Sequence, residues 1–238
     1  MNRTYVLFLV LSLAISAFAY DFTALDTNGN TLYYNKLGAD SVEVTHGDNY
    51  GCIFQERVIV PSIVSDGENN YRVTGIGELA FTMSIIPAIS LPNTIRSIGK
   101  SAFGETYLDS ISIPNSVITI AERAFRYALL KAVSIPYSVQ SIEDLAFSNT
   151  DLVSVAIPNS VISIGNNAFE GVFNIVYSGV ATGAPWGAQN MNLYSEDIFV
   201  YEDATKKTIV RCSLGAEEKI TIPNGVKTIG ENAFFNVL

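Results

Sequence analysis

Groups able to do covalent chemistry are few in these 238 residues, and they do not converge. A hydrolytic triad or a histidine acid/base needs a proton-carrying imidazole, and His46 is the only histidine. Zinc needs three or four Cys, His or carboxylate ligands at one point. Cys52 beside His46 supplies too few, and Cys212 is the only other thiol. The phosphate-cradling Gly-Lys-Ser/Thr loop and the D-x-D-x-D-G calcium loop are absent from the sequence. The adjacent carboxylates Glu143-Asp144 and Glu217-Glu218 suit solvated faces. The sequence therefore predicts no catalytic residue, no metal and no cofactor, and the chain is expected not to be an enzyme. Side chains suited to binding are better represented. Interfaces concentrate Tyr, Trp and Arg, and Tyr107, Arg126, Tyr127 and, more weakly, Glu105 fall at variable positions. Trp186, the only tryptophan, lies in a Gly/Ala/Pro loop. It either stacks on a ligand such as a sugar ring or packs against the side of the fold. Tyr107, Arg126, Tyr127 and Trp186 are the candidate ligand contacts.

What must position these residues is a repeat. Between Ile89 and Phe169 one phrase is written four times: ISLPNTIRSIGKSAF, ISIPNSVITIAERAF, VSIPYSVQSIEDLAF and VAIPNSVISIGNNAF. Pro92, Pro114, Pro136 and Pro158 recur every 22 residues, as do Phe103, Phe125, Phe147 and Phe169. Such a period signals a solenoid, in which each unit buries its apolar face only against its neighbours. Alternation as in Ile111-Ser112-Ile113 predicts a half-buried strand, which Pro114 ends because it lacks a donor. Asn93, Asn115, Asn159 and Asn224 follow the Pro and suit a turn; Tyr137 takes that place in one copy. A second short alternation, Val117-Ile118-Thr119-Ile120, leads to a turn at Gly77, Gly99, Gly165 or Gly230. Ala121 and Glu143 stand there in two copies, so positive φ is not required. The Ala-Phe pairs from Ala80-Phe81 to Ala233-Phe234 predict a buried Phe column, completed by Ile86, Leu108, Leu130 and Leu152. The strand positions Ser90, Ser112, Ser134, Ala156 and Thr221 line up as a flat ladder of small groups.

The pattern L-x-x-(I/V)-x-I-P-x-x-(V/I)-x-x-I-G-x-x-A-F resembles the BspA-like leucine-rich repeats of surface and secreted proteins of Bacteroidales. YDFTALDTNGNTLYYN is similar to the opening that often precedes these repeats, and NIVYSGVATGAPWGA to a segment that interrupts related arrays. The resemblance covers about residues 58–169 and 219–238. It departs at Ser84, Thr106, Ala128, Thr150 and Val172, where the family often has Cys. The resemblance implies non-enzymatic adhesion or protein–protein binding at a cell surface. A glycan-binding or glycan-active protein using the Trp186 loop, or a spacer in a longer array, are the alternatives.

The expected fold is mainly β: a right-handed leucine-rich-repeat solenoid with parallel strands, about eight coils of 22 residues and an N-terminal β cap. Residues 1–19 read as a secretory signal peptide, with Arg3, the apolar run Tyr5 to Ile15 and the cleavage motif Ala17-Phe18-Ala19. That run is too short to cross a bilayer, and no later segment is a transmembrane candidate. Residues 20–57 form the cap and residues 58–238 the solenoid. The first repeat carries nine extra residues, including Asp66 to Tyr71, which suit a surface loop. The rhythm breaks at 170–219, where Asn174 to Tyr177 predicts a strand, and IFVY and TIVRC flank a hairpin turn. This stretch is expected to replace two coils in step, without forming a second domain. The array stops at Val237-Leu238 with no capping repeat over Ala233, Phe234 and Val237, so it is either cut short or associates end to end.

A cleaved chain would carry a formal charge of −10, which argues against nucleic acid and anionic membranes as partners. A protein or a glycan at a cell surface or in the extracellular matrix is the expected partner, and the protein is expected to be secreted or cell-surface. Stacked coils would hold Cys52 and Cys212 about 30 Å apart, too far for a disulfide unless the chain folds back.

Overall fold

A computed structural model describes residues 20–47, 50–177, 179–191, 194–196, 199–201, 205–212, 222–230 and 233. The signal-peptide reading of residues 1–19, the Glu217-Glu218 pair, Thr221 and the array end from Phe234 to Leu238 lie outside them. The described chain is strands and turns without a helix.

The cap is a meander of β1 (Phe22–Leu25), β2 (Thr31–Lys36) and β3 (Ser41–Thr45), paired antiparallel. Its first turn closes on one carboxylate. Asp26 accepts hydrogen bonds from the Asn28 and Asn30 amides at 2.8 and 2.9 Å, and from the Ile59 amide at 2.7 Å. The last of these ties the cap to β4 (Val58–Ile59), where the repeats begin. Burial raises the Asp26 carboxyl, and hydrogen bonds from Asn30, Ile59 and Asn28 outweigh it, so its pKa is lowered.

The extra residues of the first repeat form a hairpin of β5 (Ile63–Ser65) and β6 (Asn70–Ile76). Asp66 holds the turn by accepting from the Glu68 and Asn69 amides at 3.0 and 2.8 Å. It also meets Lys36 of β2 at 2.7 Å and the Tyr71 hydroxyl at 2.9 Å. The expected surface loop is thus clipped to the cap.

From β6 onward each coil adds two strands. One line runs β4, β7 (Ile89–Ser90), β9 (Ser110–Ser112), β11 (Ala132–Ser134), β13 (Ser154–Ala156) and β15 (Asn174–Val176). The other runs β3, β6, β8 (Ser97–Ile98), β10 (Thr119–Ile120), β12 (Ser141–Ile142) and β14 (Ser163–Ile164), all parallel. From β6 to β14 each pairing of this second line joins residues 22 apart, as with Ile120 to Ile98 and Ile142.

Between the two lines stands the Phe column. Phe81, Phe103, Phe125, Phe147 and Phe169 stack with centroids 5.1–5.5 Å apart and planes within 10°. Phe54 covers the first ring at 6.0 Å. Ile86, Leu108, Leu130 and Leu152 are buried beside it. The turn glycines have no positive φ; at Gly77, Gly99 and Gly165 close approach of the neighbouring coil favours glycine, although Ala121 and Glu143 take the same place in the coils between. A Cβ on Gly99 would stand 2.7 Å from the Gly77 carbonyl carbon. Left-handed backbone occurs instead two residues before and two after each Phe: at Leu79, Ser101, Arg123, Leu145 and Asn167, then at Met83, Glu105, Tyr127, Asn149 and Gly171.

After Phe169 the two lines part. β16 (Asn190–Met191) extends the first line beyond β15, whereas β14 has no further partner among the described residues. β17 (Tyr194–Glu196), β18 (Phe199–Tyr201), β19 (Thr208–Cys212) and β20 (Thr228–Ile229) form a separate four-stranded sheet. Phe199, Tyr201, Ile209, Cys212 and Ala233 make a second apolar cluster. The stack in phase is therefore shorter than eight coils. Cys52 and Cys212 are both thiols, in the cap region and in this last sheet respectively.

Candidate functional site

The segment after each Phe alternates inward and outward. Counting from the Phe, the third residue is buried in every coil: Ser84, Thr106, Ala128, Thr150 and Val172. These residues are small because they point into the stack. Thr106 and Thr150 satisfy their hydroxyls on the Phe103 and Phe147 carbonyls at 2.9 and 3.1 Å. The fifth residue, Leu or Ile in four coils and Asn174 in the last, is buried as well. The second and fourth must then face solvent, and the left-handed backbone at the second turns its side chain outward.

In the early coils those outward residues are large and, except for Glu105, apolar. The second-residue column holds Met83, Glu105 and Tyr127, set one coil apart by the Met83 amide on the Gly104 carbonyl and the Glu105 amide on the Arg126 carbonyl, both 2.8 Å. The fourth-residue column holds Ile85, Tyr107 and Leu129, and Ile53 adds to it by a parallel bridge to Ile85. Tyr107 is 61% exposed and Tyr127 46%, and Met83, Ile85, Leu129 and Ile53 are exposed too. Arg126 lays its guanidinium over the Tyr127 ring at 4.5 Å and donates to the Tyr127 hydroxyl at 3.1 Å. The columns turn polar at Asn149 and Asp151, so the ridge is confined to one half of the stack.

Three of the four candidate contacts, Tyr107, Arg126 and Tyr127, come together on this ridge. Trp186 does not join them. It is 4% exposed, edge-on to Tyr177 at 5.4 Å, with its Nε1 donating to the Thr182 carbonyl at 2.8 Å. Its indole is packed inside and has no open face for a sugar. Sequence reasoning passed over Met83, Ile85 and Leu129, whose apolar types read as core. The signal lay in their spacing, out of step with the buried third and fifth residues. It also read Tyr137 only as a turn variant, although Tyr137 is 81% exposed beside an open groove lined by Ser112, Asn115 and Ser134.

The groups suited to chemistry serve the fold. His46 Nδ1 donates to the Gly47 carbonyl at 2.7 Å and its ring meets Tyr50 at 4.8 Å. Glu143 and Asp144 accept the Glu122 and Asn166 amides of neighbouring coils at 3.0 and 2.7 Å. Among the described residues no group of three or more His, Cys, Asp or Glu could hold a metal ion, and no helix is long and apolar enough to cross a membrane.

A coil built on an I-P strand, an I-G turn and an A-F column defines a leucine-rich-repeat solenoid. The chain belongs to the BspA type leucine-rich repeat region, matched in six copies over residues 64–176 and 211–238. No curated protein is matched. Solved structures that it resembles include the pneumococcal vaccine antigen PcpA, at 16% identity and a TM-score of 0.49 over 90% of this chain and 62% of that one. The chain thus spans under two thirds of PcpA's length. Another is the leucine-rich repeat protein TpLRR of T. pallidum, at 26% identity and a TM-score of 0.47 over 65% of this chain and 67% of that one. A third is a leucine-rich cell surface protein of Faecalibacterium prausnitzii, at 21% identity and a TM-score of 0.35 over 90% of this chain and 73% of that one.

Proposed function

We propose that this is an exported, non-enzymatic protein that binds a protein partner at a cell surface through the ridge of Tyr107, Arg126 and Tyr127. One observation carries the reading: an in-register, mostly apolar ridge exposed along one side of the stack. Scattered exposed apolar residues need no explanation, but a contiguous patch marks an interaction site. The ridge has the composition of an interface centre, with two Tyr, an Arg stacked on one of them, and aliphatic side chains around them. Export rests on the signal-peptide reading of residues 1–19, and the cell-surface setting on the family.

Purified protein screened by biosensor against extracellular-matrix proteins and bacterial surface proteins tests it. A Tyr107→Ala/Tyr127→Ala double variant should keep its thermal melt and lose tenfold or more in affinity for whatever partner is found, because truncated hot-spot aromatics each cost about 2 kcal/mol or more. Full affinity in the double variant, or no binding across the panel, overturns the reading.

A further inference from the structure

We infer that the chain holds two separately packed arrays: one closed at both ends by residues 20–191, and the start of a second, cap included, from Tyr194 onward. Strand register and core packing carry this division, independently of the binding ridge.

The second sheet repeats the cap. β1, β2 and β3 pair antiparallel in sequence, and β3 then runs parallel to β6, with Val44 opposite Ile76. β17, β18 and β19 also pair antiparallel in sequence, and β19 runs parallel to β20, with Ile209 opposite Ile229. The turn that follows is held identically. The Gly77 amide donates to the Val44 carbonyl at 2.7 Å, and the Gly230 amide to the Ile209 carbonyl at 2.7 Å. Between the paired elements each copy carries one apolar phrase ending in proline, VIVP before β6 and ITIP before β20. A strand of an interior coil lies between the parallel strands of neighbouring coils; β20 instead takes its parallel neighbour from an antiparallel meander, as only the first coil of an array does.

The first array is closed just before this point. Tyr177 and Trp186 are buried beyond the last Phe of the column. The Tyr177 hydroxyl donates to the Val161 carbonyl at 2.6 Å and accepts the Ala181 amide at 2.9 Å. The Trp186 carbonyl accepts the Phe169 amide at 3.0 Å, the place that the Ala168 carbonyl fills for Phe147 at 2.7 Å. Terminal units of a repeat array need such covering. Among the described residues the two apolar clusters share none: one ends at Ala188 and Met191, and the other begins at Phe199.

Stacked repeats couple through their nearest-neighbour interfaces, so two apolar clusters that share no residue among those described should unfold separately. The full chain provides a probe in each. Trp186 fluorescence follows the first array, and hydrogen exchange of the Thr208–Cys212 amides, read by mass spectrometry across a denaturant series, follows the second. Ile209→Ala should speed exchange at Thr208–Cys212 tenfold or more and leave the Trp186 midpoint unchanged. Phe125→Ala should lower the Trp186 midpoint, or unfold the first array outright, and leave protection at Thr208–Cys212 as it is. A shift of the Trp186 midpoint by Ile209→Ala, or loss of Thr208–Cys212 protection in Phe125→Ala, makes the chain one cooperative stack and overturns the inference.

Discussion

The rings of Phe125 and Phe147 lie 5.1 Å apart and 8° from parallel, and neither is exposed at all. They come from successive coils, so this contact, repeated along the column, is what fastens one coil to the next. Ala124 and Ala146, also wholly buried, leave room for the rings. Replacing Phe125 by Ala opens a cavity in the middle of the column. The expected loss is about 3–5 kcal/mol, the range for core Phe truncations. Chemical denaturation followed at Trp186 reads it, and a loss under about 1 kcal/mol would show that the column is not what joins the coils.

How much of this was legible follows from what repeats. Proline ending each first strand and Phe closing each coil are choices that sterics and burial dictate, so their recurrence exposed the coil, its period and its core. The left-handed positions stayed hidden because they are occupied by Leu79, Ser101, Arg123 and Tyr127, none of which announces positive φ; only Asn149, Asn167 and Gly171 hint at it. The clip between Lys36 and Asp66 joins residues 30 apart through a hairpin that repeat logic could read only as inserted length. The outward residues of the ridge were half legible. Tyr107, Arg126 and Tyr127 stood out by type, whereas Met83, Ile85 and Leu129 share their types with the core and are separated from it only by the direction of the backbone.

Those left-handed positions give a second expectation. Glu105 is exposed, has a φ of 57°, and follows the buried Gly104. An L-residue there pays roughly 1–2 kcal/mol, and glycine avoids that cost while losing about 0.5–1 kcal/mol to its freer unfolded chain. Glu105→Gly should therefore stabilise by about 0.5–1 kcal/mol. Gly171 already occupies the matching place two residues after Phe169, at a φ of 85°. Glu105→Ala is the control, since it removes the same side chain and keeps the strain. Thermal melts of the three proteins decide it: equal gains for Gly and Ala would assign the effect to the lost charge and sink the backbone explanation.

Glu43 gives the last. It lies on β3 opposite Gly75, with its side chain folded over the Gly77 turn, where a Cβ would stand 2.7 Å from its Cδ. Burial, and then the charge of Glu78, push the Glu43 carboxyl above its ordinary 4.5. A carboxyl whose folded pKa is raised adds stability that is fully present below the unfolded value, where both states are protonated. That stability is lost as pH rises through the folded value, because the native state must then hold the charge in a half-buried place. Asp66 works with the opposite sign: the Lys36 ammonium, first among its partners, holds its carboxyl well below the usual range, so its stabilisation fades as the solution is acidified. That change is common to wild type and to any Glu43 variant, and it cancels in their difference. Glu43→Gln keeps the side chain's shape over Gly77 and removes only the ionisation. The variant should melt higher than wild type at about pH 7, and the two curves should converge as pH falls below about 4. Differential scanning calorimetry across that range checks it; a gap that persists unchanged in acid would mean that packing of the amide, and not the buried charge, sets the difference.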